Sequence, residues 1–277
     1  MRFLVVACIV RSVSYSVLFR EFPVEHIDVL APVIRQVYEI TDFDARTKIR
    51  KGWGFLEREV TEEEARRIVE GIGDVAGGAA AVENAQLRTP AEPKVVIGFE
   101  PGEHGVTLQL QSPQDPPRLV KWPEMRVVAA GRFSEEIIVR ESGGNEQKMG
   151  QMMIGLGVFL VTGVPTGMFG GKKKKKDAKP EKTSRVITFG RIVTAAGEQF
   201  VFRPDHFDYA GLGEKKQMNA GLNFRALLGE LARGSSARLN FGARLLLQNR
   251  SITFANYTGL HDFETELLWL CNAASDR

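Results

Sequence analysis

The residues of this chain whose types and spacing could do chemistry are few. The densest group is Arg203-Pro204-Asp205-His206-Phe207-Asp208-Tyr209, where Asp205, His206 and Asp208 carry the oxygen and imidazole donors of a divalent-metal site. Neighbouring residues of an extended segment point to opposite faces, so these three converge only across a special turn. A structured turn leading into Gly211-Leu212-Gly213 is the plainer expectation. Gly155-Leu156-Gly157 begins a dinucleotide-binding fingerprint, but Leu160 stands where the third glycine belongs and no strand precedes it. Gly170-Gly171-Lys172-Lys173 imitates a phosphate-binding loop, with Thr166 in place of its first glycine and Lys173 in place of the Ser or Thr that would hold magnesium.

Paired carboxylates occur at Glu62-Glu63-Glu64 and Glu135-Glu136, where helix-dipole complementation and solvation explain them better than acid–base work. His26, His104 and His261 are isolated, and no Gly-x-Ser-x-Gly nucleophile elbow is present. Cys8 and Cys271 lie at opposite ends without a partner at ligand spacing, which argues against a zinc site or a disulfide framework and fits a reducing cytoplasm. The expectation is therefore a protein with no catalytic residues, no cofactor and no metal.

The elements that must position any site follow from composition and periodicity. With 277 residues and 43% hydrophobic content, the chain can build two cored domains. The formal charge of +3 is outweighed by one run alone, Lys172, Lys173, Lys174, Lys175 and Lys176, so no general nucleic-acid footprint and no specific DNA binding is expected. Met1-Arg2 followed by Phe3 to Val10 invites comparison with a signal peptide, but the apolar run is short and a strand or ragged start is expected instead.

Tyr15 to Phe22 is rich in aromatic and β-branched residues and is stopped by Pro23, a strand signature. From Val24 to Ile40, Ile27, Leu30, Ala31, Ile34, Val37 and Tyr38 recur at helical spacing, with Pro32 predicting a kink or a late start. Asp42 to Arg50 suits a second helix ended by Gly52, and Phe55 to Val60 a second strand. Thr61 with Glu64 is a capping box opening a third helix to about Ile72, and Ala79 to Glu83 closes the set as a strand. Trp53 and Trp122 are expected to bury their rings in the domain cores.

This segment, Tyr15 to Asn84, resembles the C-terminal domain of the bacterial ribosomal stalk protein of the large subunit. The matching features are Ser16-Val17-Leu18, Val33-Ile34-Arg35, Ala45-Arg46, and Leu56 followed by Val60-Thr61-Glu62-Glu63-Glu64-Ala65. The resemblance implies a βααβαβ fold and a partner-binding surface on its first two helices, which in that family recruits translation factors through basic residues and a glycine-rich turn. Here the turn Tyr38-Glu39-Ile40-Thr41-Asp42 has no glycine and Pro32 stands near a family lysine, leaving Arg35 and Arg46 as equivalents.

After Thr89-Pro90-Ala91-Glu92-Pro93 the composition changes to alternating strands at Lys94 to Phe99, Val106 to Gln111, Leu119 to Gly131, Glu135 to Glu141, Val186 to Thr194 and Glu198 to Arg203. Helices are expected at Asn223 to Arg233, Leu239 to Gln248 and Asp262 to Ala273, and the strands suggest a meander curved like a pleckstrin-homology barrel. Met149 to Gly171 contains no charged residue, but its glycines weaken a free-standing spanning helix and the five lysines after it give an unfavourable topology. A buried glycine-rich helix or hairpin is expected there, followed by a mobile lysine-rich loop at 172–184 that could touch an anionic membrane surface or RNA phosphate.

The sequence thus reads as an α+β protein: a small βααβαβ module over 1–88, then a mainly β domain with C-terminal helices over 94–277. The expected function is a non-enzymatic cytoplasmic interaction or scaffolding protein with a protein partner, a ribosome or translation factor among the candidates. Arg35, Arg46, Lys48, Arg50 and Lys51 are the binding residues to test. The alternative is membrane association through 149–176.

Overall fold

The computed structural model describes residues 13–139, 181–252 and 257–273. The chain is α+β and divides into two compact units, Met1–Thr89 together with Asp262–Arg277, and Pro90–His261. In chain order the first unit holds β1 (Tyr15–Phe19), α1 (Ile27–Tyr38), α2 (Asp42–Gly52), β2 (Phe55–Val60), α3 (Glu62–Ile72) and β3 (Ala79–Glu83). The second holds β4 (Pro93–Pro101), β5 (Gly105–Leu110), β6 (Arg118–Lys121), β7 (Met125–Val139), β8 (Glu181–Thr194), β9 (Gln199–Phe202), α4 (Ala220–Gly234), β10 (Arg238–Leu239) and α5 (Phe241–Leu247), and α6 (Leu260–Asn272) ends the described chain.

In the first unit the strands form an antiparallel sheet of order β2-β1-β3. A 3-10 turn at Pro23–His26 precedes α1, but the helix starts at Ile27 and so still contains Pro32, which lies inside it on an exposed face rather than in a late first turn. Thr61 caps α3 as its sequence requires, accepting the Glu64 N–H at 3.3 Å while its own N–H donates to the Glu64 carboxylate at 3.0 Å. The Thr61 N–H, together with the Thr61 hydroxyl donating to the same carboxylate at 2.9 Å, holds the Glu64 carboxyl below its ordinary range. Val17 and Phe19 of β1 join Leu30, Ile34, Ile49, Leu56, Ile68 and Ile72 in one apolar core. Ser16 and Leu18, which alternate with them, are equally buried, so this central strand is covered on both faces.

The return of α6 was not expected. The second domain was predicted to run to residue 277, whereas the compact division places Asp262–Arg277 with the first unit. The reason is a set of specific contacts: the Trp269 indole N–H donates to the Phe19 carbonyl at 2.7 Å, and its ring packs on Phe22 with centroids 5.6 Å apart. Gly54, at φ +95°, lies so close beneath that ring that a Cβ there would collide with the indole. Further along the helix the Asn272 amide brackets Arg88, accepting its N–H at 2.7 Å and donating to its carbonyl at 3.1 Å. The first unit is therefore built from two separated stretches of sequence.

The second unit is a seven-stranded mixed sheet of order β10-β7-β8-β9-β4-β5-β6. It departs from the expected meander because β4 lies parallel to β9, and β10 parallel to β7. β4 pairs with β9 over Pro93 to Val96 and with β5 from Val96 to Pro101, and the β4–β5 register shifts between Val96 and Gly98. Phe202 lies opposite Gly190, and its ring occupies the space a Cβ would need there. That ring meets Phe207 at 5.5 Å and Phe224 of α4 at 5.6 Å, which fastens the helix to the sheet.

One buried side chain organises the far edge. The Asn240 amide accepts the N–H groups of Ala130 and Ala243, each at 2.8 Å, and donates to the Ala130 carbonyl at 2.9 Å and the Tyr257 hydroxyl at 2.8 Å. It thereby extends strand pairing from β7 and caps α5 at once.

Trp269→Ala is expected to destabilise the first unit by about 3–5 kcal/mol, and Gly54→Ala to destabilise it in the same direction through its backbone angle and the lost seat. Native-state hydrogen exchange checks this: protection should fall in β1 and α3 and persist in β7 and β8. Unchanged protection in β1 would show that α6 is not integral to that unit.

Candidate interaction surface

The α1–α2 hairpin carries the five cations singled out by the sequence. Its short connection is set by Glu39, which adopts the left-handed conformation and donates its N–H back to the Arg35 carbonyl, and by Thr41, whose hydroxyl accepts the Asp44 N–H at 3.1 Å to cap α2. Ala45 and Ile49 bury one face of α2 and leave the other in solvent.

The structure sorts the cations into two kinds. Arg46 donates to Asp42 and to Asp28 of α1, both at 2.7 Å, and these hydrogen bonds, Asp28 first, raise its pKa. Lys48 pairs with Glu57 of β2 and stands 4.6 Å from the centroid of the Tyr38 ring. Burial, with the Glu57 charge added to it, pushes the Tyr38 phenol up. Arg46 and Lys48 thus brace the fold internally. Arg35, Arg50 and Lys51 are exposed and make no ion pair among the described residues.

Placement adds to this. Arg35 is seven residues from Asp28 and so lies on the side of α1 that Arg46 reaches across to from α2. Phe43 is seven residues from Arg50, on one stripe of α2, with about 10 Å of helix between them. Phe43 is 75% exposed, the most open of the large apolar side chains described in this unit, and Val29 of α1 is exposed as well. Sequence reasoning passed over Phe43. The signal was available, because Ala45 and Ile49 define the buried face of α2 and Phe43 falls off it.

Such a surface has no nucleophile or paired base. It offers an aromatic ring and unneutralised guanidinium groups, residue types enriched at protein–protein interfaces, with the Lys51 ammonium as an added charge.

The second unit does not gather its polar cluster into a metal site. Asp205 faces Arg203 at 3.7 Å and His206 at 3.5 Å, while Asp208 accepts the Ala210 N–H at 2.9 Å and lies 3.9 Å from Lys216. The segment is a structured turn, and no group of three metal-ligating side chains occurs among the described residues. Trp53 is buried as expected, whereas Trp122 is partly exposed and donates its indole N–H to the Glu103 carbonyl at 3.0 Å. Cys271 is buried. Lys172 to Lys176, Met149 to Gly171 and Cys8 lie outside the described residues. No helix among the described residues is long and apolar enough to cross a membrane. No protein-family model, curated protein or solved structure matches this chain.

Lys48→Ala removes the pair to Glu57 and the ammonium over Tyr38, and should cost about 1 kcal/mol. Arg46→Gln should also lower the thermal midpoint, whereas Arg35→Gln, Arg50→Gln and Lys51→Gln should leave it nearly unchanged. Thermal denaturation of the single variants decides it; a drop at any of the last three as large as that of Lys48→Ala would move that residue into the structural group.

Proposed function

We propose that this protein is a non-enzymatic interaction or scaffolding protein that binds a protein partner through the α1–α2 hairpin of its first unit. The observation that carries the reading is the division of the hairpin's cations: Arg46 and Lys48 are neutralised internally, while Arg35, Arg50 and Lys51 remain open on a hairpin that also exposes Phe43. The element order β-α-α-β-α-β supports a stalk-like scaffold reused for binding, and a ribosome or translation factor is one partner within that reading. A cytoplasmic location belongs to the same proposal.

The test compares immobilised full-length protein with a variant carrying Arg35→Glu, Arg50→Glu and Lys51→Glu, and with Phe43→Ala. Partners captured from a cell lysate, and ribosomes in a co-sedimentation arm, should be lost with either variant and weakened by salt. Retention of the same partners by both variants would remove the hairpin from consideration.

A second reading, membrane association through 149–176, is favoured by one feature of the second unit. Beyond Arg132 and Thr188, β7 and β8 pair only with each other among the described residues, in register to Val139 opposite Glu181. Val139 and Glu181, the described residues that border 140–180, thus stand paired at one end of a two-stranded ribbon. If this reading holds, the full chain should sediment with vesicles containing phosphatidylserine and much less with pure phosphatidylcholine vesicles. Recovery in the supernatant with both would end it.

A further inference from the structure

The segment that leads into α4 leaves one side chain wholly in solvent. Met218 is 107% exposed, as open as in an isolated peptide, whereas Met125, the other methionine among the described residues, is 3% exposed. The cause lies in how the helix is capped. An apolar residue just before a helix N-cap ordinarily packs against the fourth residue of the helix, forming a staple. In α4 the cap is Asn219, and the fourth residue is Asn223, which is buried.

Asn223 turns away from Met218 to bracket the preceding residue, accepting the Gln217 N–H at 2.6 Å and donating to the Gln217 carbonyl at 2.8 Å. On the other side, the Asn219 side chain accepts the N–H groups of Gly221 at 2.8 Å and Leu222 at 3.1 Å. The backbone on both flanks of Met218 is therefore fixed, and the thioether is held outward with nothing among the described residues to cover it.

We propose that Met218 is a surface oxidation site that reacts with hydroperoxides. The sulfur lone pair attacks one peroxide oxygen; an S–O bond forms as the O–O bond breaks, and the leaving oxygen takes a proton and departs as water or an alcohol. Sulfur loses two electrons and the peroxide gains them, so no further reactant is needed. The product is a polar sulfoxide, which disrupts an apolar core but costs nothing where the side chain is already hydrated. Oxidation at Met218 therefore leaves the fold intact, and its exposure also gives methionine sulfoxide reductases access for the reverse reaction. At Met125 the same change would place a sulfoxide dipole in the sheet interior, and burial keeps peroxide away from it.

The full-length folded protein, with Met218→Leu as control, is exposed to hydrogen peroxide, quenched with catalase, digested and mapped by mass spectrometry. Sulfoxide should accumulate at Met218 at a rate within about threefold of that for a blocked free methionine and at least about tenfold faster than at Met125. Circular dichroism should not change while Met218 alone is oxidised. Equal rates at the two sites, a Met218 rate more than about tenfold below that of the free amino acid, or loss of structure accompanying oxidation at Met218 alone would each overturn the proposal.

Discussion

The hydrogen bond from the Trp269 indole to the Phe19 carbonyl is the interaction on which the organisation of the chain depends. Phe19 ends the central strand of the small sheet, and a buried carbonyl at that position needs a donor. The donor comes from a helix that follows the whole of the second unit. The seat for its ring is made by the absence of a side chain at Gly54, in the turn between α2 and β2. The Asn272 bracket on Arg88 fastens the same helix to the end of the stretch it completes. A βααβαβ pattern that looks self-contained in sequence is thus incomplete without residues far downstream.

This explains what the sequence could reveal. Features set by neighbours were legible: the Thr61–Glu64 capping box, the extents of β2 and β3, and the helical stripe from Ile27 to Tyr38. Features set by distant partners were not. Nothing local to Trp269 says that its N–H will meet Phe19, and nothing in β4 announces a parallel neighbour as remote as β9. Asn240 reads as an ordinary helix cap, yet its amide also carries strand pairing across to Ala130. For the hairpin, residue types were legible but occupancy was not. Arg46 has Asp42 four residues before it where Arg50 has Arg46, a difference readable in sequence, but the approach of Asp28 from α1 that ties Arg46 to the neighbouring helix is not.

The same distinction bears on the polar cluster of the second unit. Asp205, His206 and Asp208 have the donor chemistry of a metal site, but each carboxylate is already engaged with a cation or a backbone N–H of its own turn. Local hydrogen bonds that satisfy short acidic side chains compete with convergence on a common ion, and here they win. The hairpin shows the converse arrangement, with charge and aromatic area left over after the fold has taken what it uses.

Building the first unit from Met1–Thr89 and Asp262–Arg277 also sets an order of events during synthesis. Ribosomes extend chains at ~5–20 residues per second, and domains fold as their sequences emerge. Pro90–His261 is synthesised between the two stretches, so Met1–Thr89 waits roughly ten to thirty seconds at that rate for the helix that completes its unit. Until then the indole's place over Gly54 stands empty, and a unit begun before its neighbour is completed only after it.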